Sequence, residues 1–348
     1  MLVGADPAPD SVLQSSPSAV TLIFSEPVTP AGAGIKVYSP SGRQVAGRVT
    51  VRGSVLLASI DASQSGTYVV SWQVFAGDTH PSRGAFRFAV GRPSANPYSA
   101  LLDTPAVGTA TPAGVALQAL ARWVHFIGFA LVIGVVGYGV LVGRRMPTLV
   151  GAGVALLIAA EPLVLLGQLA SLSFDGDTAL AVLGSTFGRL LGLRLGAALL
   201  LWTLLATGRA WPLLAVGGVI AVLDGASSHG IPTLIGLGQL VVAIHVMAMG
   251  LWVGGLAGFV RAPNGRFVRY AVVTLGVAVS SGLVLALAHT HFGTVLLTTD
   301  YGRVLILKTL VVGAAVAAAL LRRHRLELVV VVVVIASAAV VAALPPPF

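Results

Sequence analysis

From about residue 117 the chain is a succession of apolar runs: 117–142, 148–171, 187–207, 211–226, 236–260, 267–289, 303–321 and 327–344. At about 1.5 Å per helical residue, most of them cover the roughly 30 Å of hydrocarbon in a bilayer. Only 9% of the 348 residues are charged and 56% are hydrophobic. Such a chain has no soluble fold open to it, and in lipid every backbone group must be satisfied within the segment, so the runs predict an all-α polytopic bundle of about eight transmembrane helices. The fourth run is the shortest.

The turns between the runs alternate in charge. Gly143-Arg144-Arg145-Met146-Pro147, Gly208-Arg209, Arg261 to Arg269 and Arg322-Arg323-His324-Arg325 are basic, whereas 172–186, 225–235 and 290–300 hold no Lys or Arg. The positive-inside rule puts the basic set in the cytoplasm and everything before residue 117 outside. The net charge of +9 is thereby spent on topology, and no nucleic-acid surface is expected. There are no cysteines, which excludes disulfides and thiolate metal sites. No G-x-x-x-x-G-K-[ST] loop is present, which argues against ATP-driven pumping, and no enzymatic activity is expected.

Residues 1–91 have ordinary soluble composition. Short β-branched or aromatic runs at 20–24, 35–38, 55–60, 67–74 and 85–90, separated by Pro, Gly, Ser and Asp, predict an all-β Greek-key sandwich of about seven strands. Met1-Leu2-Val3 leads straight into polar sequence, and no leader peptide is visible there. Residues 92–116 are rich in Pro, Ala and Thr and read as a linker, which leaves 117–348 as the membrane domain.

The membrane domain looks duplicated. Phe187-Gly188-Arg189-x-Leu191-x-Leu193-Arg194 recurs as Tyr301-Gly302-Arg303-x-Leu305-x-Leu307-Lys308, and His125 with Gly134 recurs as His245 with Gly254. Four runs return a chain to the side on which it started, so two parallel four-helix repeats are expected.

Six of the seven histidines fall toward the outer side. His80 sits in Asp78-Thr79-His80, a turn whose two side chains can face one ion. His229 lies in an outer loop, His289 and His291 end the sixth run, and His125 and His245 lie about two turns inside their runs. Met249 follows His245 by four residues and shares its face, while Met247 points elsewhere. Imidazole and thioether together suit copper, Cu(I) in particular. An ionisable residue within a span is a candidate functional residue, and Glu161, next to Pro162 inside the second run, is expected neutral or paired. A rival use of His125 and His245 is as axial ligands to haem b in an electron carrier. A copper sensor or scaffold that transports nothing is a third.

Two resemblances sharpen this. Asp6-Pro7-Ala8-Pro9, Phe24-Ser25-Glu26-Pro27, Gly66-Thr67-Tyr68-x-Val70-x-Trp72, Asp78-x-His80-Pro81 and Gly84-x-Phe86-x-Phe88 resemble, in order, the periplasmic copper-binding protein CopC. That resemblance implies Cu(II) held by Asp78 and His80 with Glu26 close by. The family's N-terminal His has no match in these residues: either it stands upstream, exposed by cleavage of a signal peptide, or it has been lost, and residues 1–91 as given are expected to bind Cu(II) weakly. Ser228-His229-Gly230, His245, Leu251-Trp252-Val253-Gly254-Gly255-Leu256, Tyr301-Gly302-Arg303, Lys308 and Glu327 resemble the copper resistance protein CopD. Together they imply a CopC–CopD fusion in a bacterial inner membrane, with its β domain extracytoplasmic. Copper would pass inward along a path drawn from His125, His229, His245, Met247, Met249, His289 and His291. The expected partners are copper, the lipid bilayer and a periplasmic copper chaperone.

Overall fold

A computed structural model describes residues 2–25, 27–76, 81–103, 112–172, 174, 176–228, 231 and 234–344. They divide into two compact units, Met1–Gly114 with Gln168–Gly188, and Val115–Gly167 with Arg189–Phe348.

The first unit is built on a β-sandwich. Its strands are β1 (Leu2–Asp6), β2 (Val12–Leu13), β3 (Ala19–Phe24), β4 (Val28–Tyr38), β5 (Ala46–Arg52), β6 (Val55–Ile60), β7 (Gly66–Ala76) and β8 (Pro81–Val90). One sheet runs β1-β3-β6-β5 and the other β2-β8-β7-β4. The chain changes sheet at β1–β2, β2–β3, β3–β4, β4–β5 and β6–β7, and the two sheets close as a Greek-key sandwich. Alternation supplies the core: Val20, Leu22 and Phe24 face inward from β3 to meet Val70, Trp72 and Val74 of β7. Trp72 stands directly across from Gly84. A β-carbon at Gly84 would lie 2.7 Å from the indole, so the Trp and Gly of the two motifs fit only as a pair. The Tyr68 hydroxyl donates to the Gln64 carbonyl at 2.8 Å and accepts from the Gln64 amide at 3.0 Å. Burial pushes that hydroxyl above the ordinary tyrosine pKa.

The stretch read as a linker is pinned over its first part. The Asn96 amide donates to the carbonyls of Tyr38, Ser39 and Thr67. Tyr98 stacks on Tyr38 with ring centroids 3.8 Å apart, and Ser99–Asp103 form a 3-10 turn. A buried carboxamide with this many partners ties residues 94–103 to the sandwich.

The helices are α1 (Pro112–Val142), α2 (Pro147–Ser171), α3 (Gly176–Gly184), α4 (Thr186–Leu205), α5 (Ala210–Ala226), α6 (Ile235–Arg261), α7 (Phe267–Thr290), α8 (Val295–Thr298), α9 (Asp300–Leu320) and α10 (His324–Ala343). Among the described residues seven are long and apolar enough to cross a membrane, and α5 is a shorter apolar helix. This is a multi-pass membrane protein by helix length and composition. Left-handed Gly143 and Gly208 follow the ends of α1 and α4, as helix-stopping glycines do. The short α3 and α8 were not expected from the sequence. Within the first unit α3 packs beside β4, with Gly32 opposite Thr178.

Helix boundaries repeat across the membrane domain. α2 begins at Pro147 and α7 at Phe267, an offset of 120; α5 begins at Ala210 and α10 at His324, an offset of 114. The related helices α1 and α6 meet in parallel register. A β-carbon on Gly134 would strike the Gly250 carbonyl, and one on Gly254 would strike the Ala130 carbonyl. Because 130 corresponds to 250 and 134 to 254, the contact is reciprocal, as a pseudo-two-fold relation requires. Gly258 packs on Tyr138 one turn further along. Small residues four apart let two helices approach closely where lipid offers no hydrophobic drive.

Candidate functional site

In the first half of the membrane domain four polar side chains close a ring. His125 on α1 places Nδ1 3.2 Å from Glu161 Oε1 on α2, and Nε2 3.0 Å from Asp224 Oδ2 on α5. Arg194 on α4 donates through Nε to Glu161 Oε2 at 3.2 Å, and through Nη1 to Asp224 Oδ1 at 3.4 Å. His125, Glu161 and Asp224 are buried. Two carboxylates thus face one guanidinium and one imidazole, and each charge has a partner. A buried ionic cluster persists only on such terms.

The second half opens instead into a cavity of about 190 Å3. Phe126, Phe129, Val253, Leu305 and Ile335 make its apolar wall, and His245, Met249, His289, Tyr301 and Lys308 bring its chemistry. His245 lies ten residues into α6, about 15 Å along the helix. Its Nδ1 donates to the Ala278 carbonyl at 2.9 Å, with Ser281 Oγ at 3.1 Å. A carbonyl can only accept, so Nδ1 carries a hydrogen, and in the neutral imidazole Nε2 then keeps its lone pair for a ligand. A backbone carbonyl behind one imidazole nitrogen is the usual support for a metal-binding histidine. Gly282 lies against the ring, where a β-carbon would sit 3.0 Å from Cε1. Met249 follows one turn later on the same face. His289 is anchored by Nδ1 to the Leu285 carbonyl at 2.8 Å, with its ring centroid 6.0 Å from that of Tyr301.

The two sites are built from matching positions. His125 corresponds to His245 and Glu161 to Ser281 at the offset of 120; Arg194 corresponds to Lys308 and Asp224 to Ala338 at 114. Both histidines meet the second residue of their set through Nδ1. Where the first half has two carboxylates, the second has a hydroxyl and a methyl group. The second half is therefore open and the first is sealed.

The predicted ligands are distributed as follows. His245, Met249 and His289 share the cavity. Met247 does not line it and packs instead with the core around Phe129 and Ile220, because two residues along a helix turn the side chain away. His125 is absent from the cavity wall and holds a carboxylate on each ring nitrogen, so it is not brought together with His245, Met249 and His289. The His289–His291 clasp does not form: His289 is buried in the cavity, while His291 caps α7 in the left-handed region and is exposed. Glu26, Asp78, His80 and His229 lie outside the described residues. Among the described residues no group of three or more His, Asp or Glu is arranged to hold a metal ion, so a metal in the cavity would draw on nitrogen and sulfur together. Sequence reasoning did not single out Asp224, Arg194, Tyr301 or Lys308 as site residues. The motif ending in Arg194 and Lys308 was visible, and its basic end, deep inside a helix, was the available signal.

Residues 2–91 match the CopC domain family. Protein YobA of Escherichia coli strain K12 is 29% identical over 89 residues, covering 24% of this chain and 72% of that protein. The crystal structure of CopC from Methylosinus trichosporium OB3b is 29% identical, covers 28% of this chain and 98% of that one, and gives a TM-score of 0.25. PcoC, a copper resistance protein from Escherichia coli, is 27% identical over 26% of this chain and 99% of its own, with a TM-score of 0.24.

Proposed function

We propose that the chain is a copper carrier of a bacterial inner membrane, in which an extracytoplasmic CopC domain is fused to a CopD-like helical domain. Copper taken from the outer face passes toward the cytoplasm through the cavity around His245. The CopC domain match supports copper homeostasis as the setting. The motifs around His245, Trp252 and Tyr301 support the CopD assignment, and the charge pattern of the turns supports the sidedness. Asp78 and His80, with Glu26, are the proposed Cu(II) residues of the outer domain. A periplasmic chaperone is the proposed donor, and copper is cargo rather than a reactant.

The observation that carries the membrane part is the joint placement of His245 and Met249 on one cavity wall, with His245 oriented by the Ala278 carbonyl. A neutral imidazole nitrogen and a thioether are soft ligands that favour Cu(I) over hard cations. Haem is disfavoured by His125, both of whose ring nitrogens are held by carboxylates.

Cells expressing the full chain at limiting external copper test the proposal. His245→Ala is expected to reduce copper accumulation to background with protein level unchanged, and the parent protein is expected to show no Soret band. Parent-like accumulation by His245→Ala would remove the cavity from the path.

A further inference from the structure

Lys308 lies eight residues into α9, about 12 Å along the helix, with Tyr301 and Leu305 on the same face of that helix and the same cavity wall. Among the described residues no carboxylate lines the cavity, and none hydrogen-bonds or ion-pairs with Lys308. Its counterpart Arg194 occupies the same step of α4 with Glu161 and Asp224 bound to it. The repeat therefore shows what Lys308 is missing. Replacement of Glu161 by Ser281 and of Asp224 by Ala338 removes two negative charges, and Ala338 lines the cavity together with Lys308. A lysine within a span almost always has a partner of opposite charge, and this chain does not supply one among its described residues. A copper cation entering beside Lys308 makes the need greater, since two positive charges repel strongly where the dielectric is low.

We propose that the cavity binds a small monovalent anion on the Lys308 ammonium, in the place that the carboxylates of Glu161 and Asp224 take beside Arg194. Tyr301 offers a hydroxyl donor on the same wall. The apolar lining fits a halide or a short-chain carboxylate better than a multiply charged ion, which would need more donors than one ammonium and one phenol. Copper then enters a site whose charge is already balanced, or brings the anion with it. The anion site concerns the same cavity as the copper reading, yet its test is run without copper.

The full chain is purified in detergent and its thermal midpoint followed in sodium gluconate buffer at constant ionic strength, with chloride or butyrate replacing gluconate. A ligand that binds the folded state raises the midpoint with its concentration. The parent is expected to gain several degrees and then saturate, and the stronger of the two anions tells a halide site from a carboxylate site. Lys308→Met and, separately, Ala338→Asp are expected to have a higher midpoint than the parent in gluconate alone and no response to either anion. The first removes the charge; the second installs a partner for it. An insensitive parent, or a Lys308→Met protein that responds like the parent, overturns the proposal. Ala338→Asp keeps the lysine and decides the question should Lys308→Met misfold: a parent-like anion response in that variant overturns the proposal equally. Cu(I) affinity is then measured with and without the stronger anion. A lysine-dependent anion response with no Cu(I) binding leaves the anion site standing and defeats the copper reading. Cu(I) binding by a parent that ignores anions does the reverse.

Discussion

In the first half of the membrane domain an arginine eight residues into α4 faces two carboxylates and, through them, a histidine; in the second half a lysine at the same step of α9 faces a serine and an alanine. The helices that carry them have matching boundaries, and α1 and α6 pack against each other through equivalent glycines. One plan has thus been completed twice with opposite outcomes. A closed ring of four charged or polar groups fixes α1, α2, α4 and α5 to one another, and each member is engaged by the others. Removing the carboxylates at the matching positions gives up that cross-linking and gains a cavity with a histidine whose second nitrogen is available. The proposed function follows this difference: the half whose carboxylates, guanidinium and imidazole engage one another is read as scaffold, and the half that holds the cavity as the site.

The most severe way to break the comparison is to remove the matching cation from each half. Arg194→Met leaves Glu161 and Asp224 buried with only His125 between them. Breaking a buried ion cluster from one side costs about 3–5 kcal/mol, so a large drop in the thermal midpoint and in membrane yield is expected. Lys308→Met deprives no carboxylate of a partner and is expected to fold at least as well as the parent. Equal losses in both variants would show that the halves do not differ in the way described.

A second substitution probes the joint between the halves. Gly254→Val puts branched carbons against the Ala130 carbonyl at the α1–α6 crossing and is expected to destabilise by about 1–3 kcal/mol, the range for overpacking. A β-carbon at Gly276 on α7 meets nothing within 4 Å, so Gly276→Val serves as the control, with a midpoint expected close to the parent's. Should the two behave alike, the reciprocal glycine contact would not be what holds the halves together.

A smaller effect is expected within the site itself. Gly282 corresponds to Pro162 of the first half, and its missing side chain makes room for the His245 ring. Gly282→Ala forces the ring to give by a few tenths of an ångström. Cu(I) affinity, measured by competition with a chromophoric chelator, is expected to fall roughly a few-fold, with stability changed by no more than about 0.5 kcal/mol.

Much of this architecture was legible in the chain. The apolar runs announced every long helix because lipid permits few alternatives, and the offsets of 120 and 114 between motifs announced the repeat. Strands β3, β4, β6, β7 and β8 were marked by β-branched and aromatic alternation. β1, β2 and β5 were not: β2 has two residues, β1 contains Gly4, and β5 begins Ala46-Gly47-Arg48 with all of its residues partly or fully exposed. The first part of the linker carries a loop-like composition and is nevertheless fixed, since three carbonyl acceptors for Asn96 come from residues more than 25 positions away. The cavity was half legible. His245 and Met249 could be placed on one face by counting, whereas Arg194, Asp224 and Lys308 gain meaning only when α4, α5 and α9 are brought beside α1, α2 and α6. His125 shows the same limit from the other side: in sequence it looks like the twin of His245, and only its neighbours Glu161 and Asp224 reveal that its nitrogens are taken.

X-ray absorption at the copper edge tests the central claim most directly. The chain has no cysteine and four methionines, so any sulfur bound to copper must come from a thioether. Cu(I) loaded into the full chain in lipid nanodiscs is expected to show nitrogen and sulfur scatterers together. Met249→Leu is expected to lose the sulfur shell, Met247→Leu to keep it, and His245→Ala to lose bound copper. A sulfur shell that survives Met249→Leu, or that disappears with Met247→Leu, would contradict the assignment of the cavity as the copper site.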